Sequence, residues 1–236
     1  GSAMSYDPRG QKIARAFAAV AKAADVKLGL LGAAEGSTGE CARRLGNEML
    51  FQQLATALGE TLHGVGAVRI VTADPHALNA LRHEVPAFAP AGTAPWEVFH
   101  HTALIAQWLR EGKLKPRRAL QRVVFHDPCY LGRHNGEYDA PREVLAQLCT
   151  DTPLEFAQNR EASMCCGAGG GRMWLEETLG TRINVLRAEQ ALAQQPQVVA
   201  TGCPYCAVMI GDGLAAASTT DPVPTRDIAE LVVEAL

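Results

Sequence analysis

Short apolar runs rich in β-branched residues alternate along this chain with longer stretches whose apolar positions recur every three or four residues. The short runs, at residues 27–32, 68–73, 97–100, 122–127, 154–157 and 198–201, end in glycine, proline or polar residues and are predicted strands. The longer stretches, including 10–24, 44–60 and 176–193, are predicted amphipathic helices. Such alternation predicts an α/β fold with parallel sheets, whose ligands sit at the carboxyl ends of the strands. A polar, proline-containing stretch at 111–118 is the candidate linker.

The two sides of that linker read as one unit written twice. Ser37-Thr38-Gly39 is followed by a helical run and then by Thr72-Ala73-Asp74-Pro75-His76-Ala77. Cys165-Cys166-Gly167 is followed likewise by Thr201-Gly202-Cys203-Pro204-Tyr205-Cys206. Thr38 and Asp74 are 36 positions apart, and Cys166 and Cys203 are 37 apart. Each half closes on a strand-to-helix pattern, around 101–109 in the first and 226–236 in the second. Two copies are too few for a solenoid, so the expected architecture is a pseudo-symmetric pair of parallel-sheet units, 1–110 and 119–236. Where the second unit has Cys165, Cys166, Cys203 and Cys206, the first has Ser37, Thr38, Asp74 and Ala77. Cys129 lies 37 positions before Cys166, and the same interval before Thr38 falls on Gly1.

Composition narrows the partners. With 236 residues, 47% hydrophobic and 20% charged, the chain is an ordinary globular one. Its 22 basic and 25 acidic residues leave a formal charge of -3, which argues against nucleic acid or an anionic membrane surface as the main partner. No run approaches the roughly 18 uncharged apolar residues that a bilayer requires, and no signal-peptide pattern opens the chain, so a cytoplasmic protein without direct membrane insertion is expected. Gly1-Ser2-Ala3 reads as a cloning remnant ahead of Met4, so the natural start is expected upstream.

Seven cysteines are too few for a disulfide scaffold and too many to be incidental. Cys203-Pro-Tyr-Cys206 lies at a strand-to-helix turn, where backbone N–H groups and the positive helix end favour thiolates. Cys165-Cys166 precedes five small residues, 167–171, that let backbone approach a bulky inorganic group. Cys129 follows a third predicted strand. In a parallel sheet these strand ends face one side, so five thiolates can converge. Several chemistries fit. The five can be apolar core residues, or the Cys-Pro-Tyr-Cys string, which matches a glutaredoxin active site, can be a thiol–disulfide centre. The latter motif belongs near the start of a domain, whereas 30 residues remain after Cys206. Tetrahedral zinc needs four ligands and is overfilled by five, and an iron–sulfur cluster suits soft thiolates. The glycine run resembles a dinucleotide phosphate loop only weakly, because Arg172 stands where its third glycine would fall and no strand precedes it.

Cys129, Cys165-Cys166-Gly167 and Cys203-x-x-Cys206 together resemble the cysteine-rich CCG domain. That family includes the heterodisulfide reductase B subunit, the iron–sulfur subunit of glycolate oxidase, lactate-utilisation proteins and iron–sulfur oxidoreductases linked to electron-transfer flavoprotein. The segments 126–133 and 166–174, and Ala42-Arg-Arg-Leu-Gly-Asn-Glu48, are most similar to the last group. The resemblance implies paired α/β CCG units and a [4Fe-4S] cluster, cubane or noncubane, on Cys129, Cys165, Cys166, Cys203 and Cys206. It also implies a flavoprotein or ferredoxin-like partner and a role as the electron-transfer subunit or domain of a flavin-linked oxidoreductase. Disulfide reduction in the family is tied to two facing clusters, so a first unit without the ligand cysteines points to an electron relay instead of a disulfide reductase subunit. The alternative from another class is a docking module holding structural zinc or no metal.

Other residues have two readings each. His126 is expected either to hydrogen-bond cluster sulfur or to be a satisfied strand-end histidine. Arg133 and Arg172 are candidates to balance a thiolate cluster, or to pair with carboxylates such as Glu137 or Glu176. Asp74, His76, His100, His101 and Cys41 are a candidate replacement metal site in the first unit. Cys149, Trp96, Trp108 and Trp174 are expected to be packing residues.

Overall fold

Asp7 accepts the backbone N–H of Arg9, and Pro8 supplies a pre-set φ at the first helical position, so the first amphipathic run starts as helix there. The structure, a computed structural model, describes residues 2–92, 96–218 and 221–236. Gly1, where the repeat spacing ends, lies outside the described residues. The order is α1 (Ser2–Tyr6), α2 (Pro8–Ala23), α3 (Glu40–Arg44), α4 (Glu48–Gly64), β1 (Arg69–Thr72), α5 (Pro75–His83), β2 (Glu97–His100) and α6 (His101–Arg110). It continues with β3 (Val123–His126), α7 (Asp139–Leu148), β4 (Leu154–Glu155), α8 (Ile183–Leu192), β5 (Val198–Thr201), α9 (Pro204–Ala217), β6 (Thr225–Asp227) and α10 (Ile228–Ala235).

Every strand pairing is parallel, as the alternating pattern predicts. β1 and β2 pair in register from Arg69 opposite Glu97 to Thr72 opposite His100. The second sheet runs β4-β3-β5-β6, with His126 opposite Thr201 and Thr201 opposite Asp227. Side chains alternate across this sheet. Val123, Phe125, Val198 and Ala200 face a core that includes Phe17, Val20, Trp108 and Ile228, whereas Val124 and Val199 face a second core holding Cys166, Cys203 and Cys206. A third core joins Phe51, Leu58, Leu78, Trp96 and Leu131. The first core draws on both halves of the chain, because α2 packs against α10.

Three predicted elements differ. Residues 27–32 form no strand: the run is broken by Gly29 and Gly32, Leu30 points to solvent, and the backbone pairs with neither sheet. The helix predicted from residue 44 begins at Glu48, where the Asn47 side chain accepts the Leu50 N–H, and a short separate helix precedes it. The stretch from 176 stays irregular until Ile183, because Gly180 takes a positive φ of 65° and interrupts it. Trp96 and Trp108 are buried as expected, and Trp108 stacks on Phe17. Trp174 is not a packing residue: it ends a short 3-10 turn after Gly171 and is 60% exposed, lining a cavity of about 380 Å³ with Tyr6, Met173, Pro204 and Val208. Cys149 is fully buried in the first core, and burial pushes its thiol up to about 11.

The two halves meet at their strand ends. A Cβ on Gly202 would lie 3.1 Å from His100 Cε1, tighter than ordinary contact, so glycine eases the close approach of β5 to the end of β2. His100 is fully buried, with Nδ1 2.7 Å from Thr102 Oγ1, and burial together with His101 holds it well below the ordinary histidine range. It is therefore neutral in the fold but protonates in the unfolded chain below about pH 6.5. Its contribution to stability is complete above that pH and is lost as pH falls toward its lowered folded value. The urea midpoint is expected to drop between pH 7.5 and 5.5, and to drop less in His100→Gln; equal pH slopes for the two proteins would contradict this.

Candidate metal centre

β3, β4 and β5 run side by side in the same direction, and the loops leaving them carry the cysteines. Cys203 directly follows Gly202 at the end of β5 and is the N-cap of α9, with Pro204 at the first helical position and Cys206 one turn in. Cys129 lies in the turn after β3, and Cys165 and Cys166 lie in the long loop between β4 and α8. Gly167 takes φ 92°, and its missing Cβ leaves room for Ile183, 3.2 Å from where that Cβ would be, and Met209. That conformation turns the cysteine pair back toward α9.

The structure thus brings all five cysteines of the motif into one connected group. Cys166 and Cys206 have their sulfurs 3.3 Å apart. Cys165 Sγ accepts the Gly167 N–H at 3.3 Å and is hydrogen-bonded by the Cys129 and Cys166 thiols. Those donors hold Cys165 well below the usual thiol range and push Cys129 and Cys166 above it. Burial opposes ionisation of Cys203, yet hydrogen bonds from Cys206 and His76 bring it down to about 7. Cys166, Cys203 and Cys206 are buried, and Cys129 and Cys165 are half-buried. His126, Cys166 and Cys206 place one donor atom each within 4.8 Å of one another.

His126 and Arg187 back this group. Burial, with Arg187 beside it, pushes His126 down to about 3, so the ring is neutral. Its Nδ1 accepts from Arg187 Nε at 3.2 Å, which leaves the proton on Nε2, and that buried atom has no hydrogen-bond partner among the described residues. Arg187 is itself fully buried and lies 3.6 Å over the Phe156 ring. Its other hydrogen bonds go to the Gln158 carbonyl, Gln190 and Ser163, and burial lowers it to about 10. No carboxylate is among these partners. Asp127, whose charge reaches it, is already held by Arg142 at 2.7 and 2.8 Å.

The other predicted residues are placed as follows. Arg133 donates to the backbone carbonyls of Glu161 and Ser163, securing the loop ahead of the cysteine pair. Arg172 pairs with Glu177, adjacent to the expected Glu176, at the exposed edge of the glycine loop. The candidate replacement site of the first half does not assemble. His100 turns to Thr102 and His101 to Asp227, inside the core, while Asp74 caps α5. Among the described residues, the group of three or more metal-binding side chains found within that distance contains none of Cys41, Asp74, His76, His100 and His101.

Sequence reasoning missed Arg187 and Glu40. Arg187 sits on an amphipathic helix where an arginine reads as solvated, and no local signal marks it. Glu40 follows Gly39, whose φ of 74° matches the positive φ of Gly167, so the repeat register was the available signal. The same register sets Asp74 and Pro75 against Cys203 and Pro204, each pair opening a helix with an extended N-cap.

Parallel strands delivering five thiols to one sheet edge, backed by a buried guanidinium, define a cysteine-rich α/β protein. Residues 123–211 match the family model described as the CCG cysteine-rich domain. Among curated proteins, the chain is 47% identical over 237 residues to the probable iron-sulfur-binding oxidoreductase FadF of Bacillus subtilis, covering all of this chain and 33% of that protein. It is 39% identical to the EtfAB:quinone oxidoreductase of Syntrophomonas wolfei, covering all of this chain and 34% of that protein. It is 30% identical to a component of the dihydromethanophenazine:CoB--CoM heterodisulfide reductase of Methanosarcina barkeri, over 89% of this chain and 52% of that one. The chain therefore spans from about a third to about half of the length of these relatives. Among the described residues, no helix is long and apolar enough to cross a membrane.

Proposed function

We propose that this chain is the electron-transfer part of a flavin-linked iron–sulfur oxidoreductase, with one [4Fe-4S] cluster, cubane or noncubane, held by Cys129, Cys165, Cys166, Cys203 and Cys206. The observation that carries this reading is the buried Arg187 beside the converging thiols, with no carboxylate hydrogen-bonded to it among the described residues. A buried, uncompensated guanidinium costs several kcal/mol. An anionic thiolate-bound centre at this place supplies the missing negative charge. The donor set fits as well, since five soft sulfurs exceed what tetrahedral zinc takes. The orphaned Nε2–H of His126 is available as a donor to sulfur.

Such a cluster would supply one-electron chemistry, and the protein's part is ligation, burial and hydrogen bonding that set its potential. Residues 119–236 are the cluster-bearing unit in this reading. Residues 1–110 are a degenerate copy whose Ser37, Thr38, Asp74 and Ala77 provide no second thiolate set. That absence favours a relay over disulfide reduction. A flavoprotein or ferredoxin-like partner is the expected source of electrons, and the Syntrophomonas relative is named as an oxidoreductase acting between EtfAB and quinone. Membrane attachment, which the name of a Chromohalobacter relative describes, would come from other parts of the assembly, with this part on the cytoplasmic side.

Metal analysis after anaerobic purification tests the reading. The expected result is about four iron and four acid-labile sulfide per chain. One zinc per chain without sulfide would replace the relay with a structural metal site.

A further inference from the structure

Two of the five cysteines touch across a long stretch of chain. Cys166 lies in the loop ahead of α8 and Cys206 in the first turn of α9, 40 positions later, and their sulfurs are 3.3 Å apart. Both are buried. The segments that carry them are locked together beside this contact. Gly167 turns with φ 92° against Ile183 and Met209, and the Asn184 side chain donates to the Met209 carbonyl at 3.0 Å. A Cβ on Gly213 would run into the Asn184 carbonyl oxygen, so glycine there lets α9 press against the start of α8. A disulfide holds its sulfurs at about 2.05 Å, so joining this pair takes a movement of about 1.2 Å, within reach of small side-chain rotations. The adjacent pair, Cys165 and Cys166, is disfavoured by its backbone. Neighbouring Cα atoms are about 3.8 Å apart, short of the roughly 4.4–6.8 Å that a disulfide spans.

We infer that Cys166 and Cys206 form a reversible disulfide when hydrogen peroxide reaches the chain before its cluster is in place, and that this bond keeps iron out. The pairing rests on geometry alone, and the exclusion of iron rests on the cluster reading proposed above. Peroxide oxidises one thiol to a sulfenic acid and releases one water. The second thiol then attacks that sulfur, releasing a second water and leaving the S–S bond, so the two thiols give up two electrons and two protons to one peroxide. The bond removes two of the five ligands, because the thiolate and not the disulfide sulfur binds metal. It also halts oxidation at a stage that a dithiol reverses, whereas an unshielded sulfenic acid proceeds to the irreversible sulfinic acid. The partner of Cys206 is then the distant Cys166 and not Cys203, so the Cys-Pro-Tyr-Cys string is not a redox pair of its own.

The test uses the full chain, purified anaerobically, stripped of iron with a chelator and treated with one equivalent of hydrogen peroxide. Non-reducing peptide mapping by tandem mass spectrometry is expected to show a link between the sulfurs of Cys166 and Cys206 that dithiothreitol removes. Cys129→Ser and Cys203→Ser should keep the link, and Cys166→Ser should lose it. In the wild type, a main product joining Cys203 to Cys206 or Cys129 to Cys165, or no link at all, would overturn the pairing whether or not the variants fold. Iron uptake from ferrous iron and limiting sulfide is expected to be about tenfold lower in the treated chain than in the untreated one, and prior dithiothreitol should restore it. Equal uptake by treated and untreated chains would overturn the exclusion of iron. An untreated chain that takes up no iron would instead remove the cluster reading, and the mapped link distinguishes that outcome from a failed pairing.

Discussion

Replacing Cys166 with serine is expected to abolish the visible absorbance of the anaerobically purified protein and to leave well under one iron per chain. Cys166 is buried, its sulfur lies 3.3 Å from that of Cys206, and it also hydrogen-bonds Cys165, so it occupies the centre of the connected group. A serine hydroxyl is a hard donor that does not ionise near neutral pH, and iron–sulfur centres select soft thiolates. The substitution changes volume little, so the fold should survive. Unchanged far-ultraviolet circular dichroism alongside lost colour separates the effect from unfolding. Cys149→Ser is the matched control: that thiol lies in the first core beside Val144 and Leu145, and its loss should leave iron content and colour as they were. Full colour in Cys166→Ser would remove the proposed cluster site.

The largest expected loss of stability follows Asp227→Ala. Asp227 is fully buried and joins the halves, with Oδ1 2.8 Å from His101 Nε2 and 2.8 Å from the Ala229 N–H that it caps. Glu230 completes the capping box by accepting the Asp227 N–H at 2.9 Å. Removing the carboxylate costs about 1 kcal/mol for the cap. It also strands the buried His101 nitrogen, at about 1–3 kcal/mol. A total of about 2–4 kcal/mol lowers the melting temperature by about 4–16 °C for a chain of this size. Asp227→Asn keeps a carbonyl acceptor for the cap and for the His101 N–H, so it should lose less than half as much. Equal melting temperatures for Asp227→Ala and the wild type, by calorimetry, would show that the pair contributes nothing.

The strands at 69–72, 97–100, 123–126 and 198–201 were legible because each is a short apolar run that ends on a polar residue. Residues 27–32 are a leucine and glycine run without a β-branched residue, and a strand also needs a partner edge, which no local pattern reports. Gly180 was likewise hidden inside a run of helical periodicity. At the site, the thiol positions were legible from chemistry and spacing alone. Arg187 was not: burial of an arginine is decided by what packs around it, and His126, Gln158 and Ser163 come from distant parts of the chain. His76 is a metal-ligand candidate by residue type, but its direction depends on Glu40, 36 residues earlier.

The seating of α2 against α10 has a consequence for how the molecule is made. Synthesis delivers the early helix long before its resting surface exists, so that helix must wait until α10, more than 200 residues later, has emerged. The first core closes late and through contacts of great sequence separation, which slows folding and leaves apolar surface exposed in the meantime. The scaffold around the cysteines therefore becomes whole only after α10 has been made.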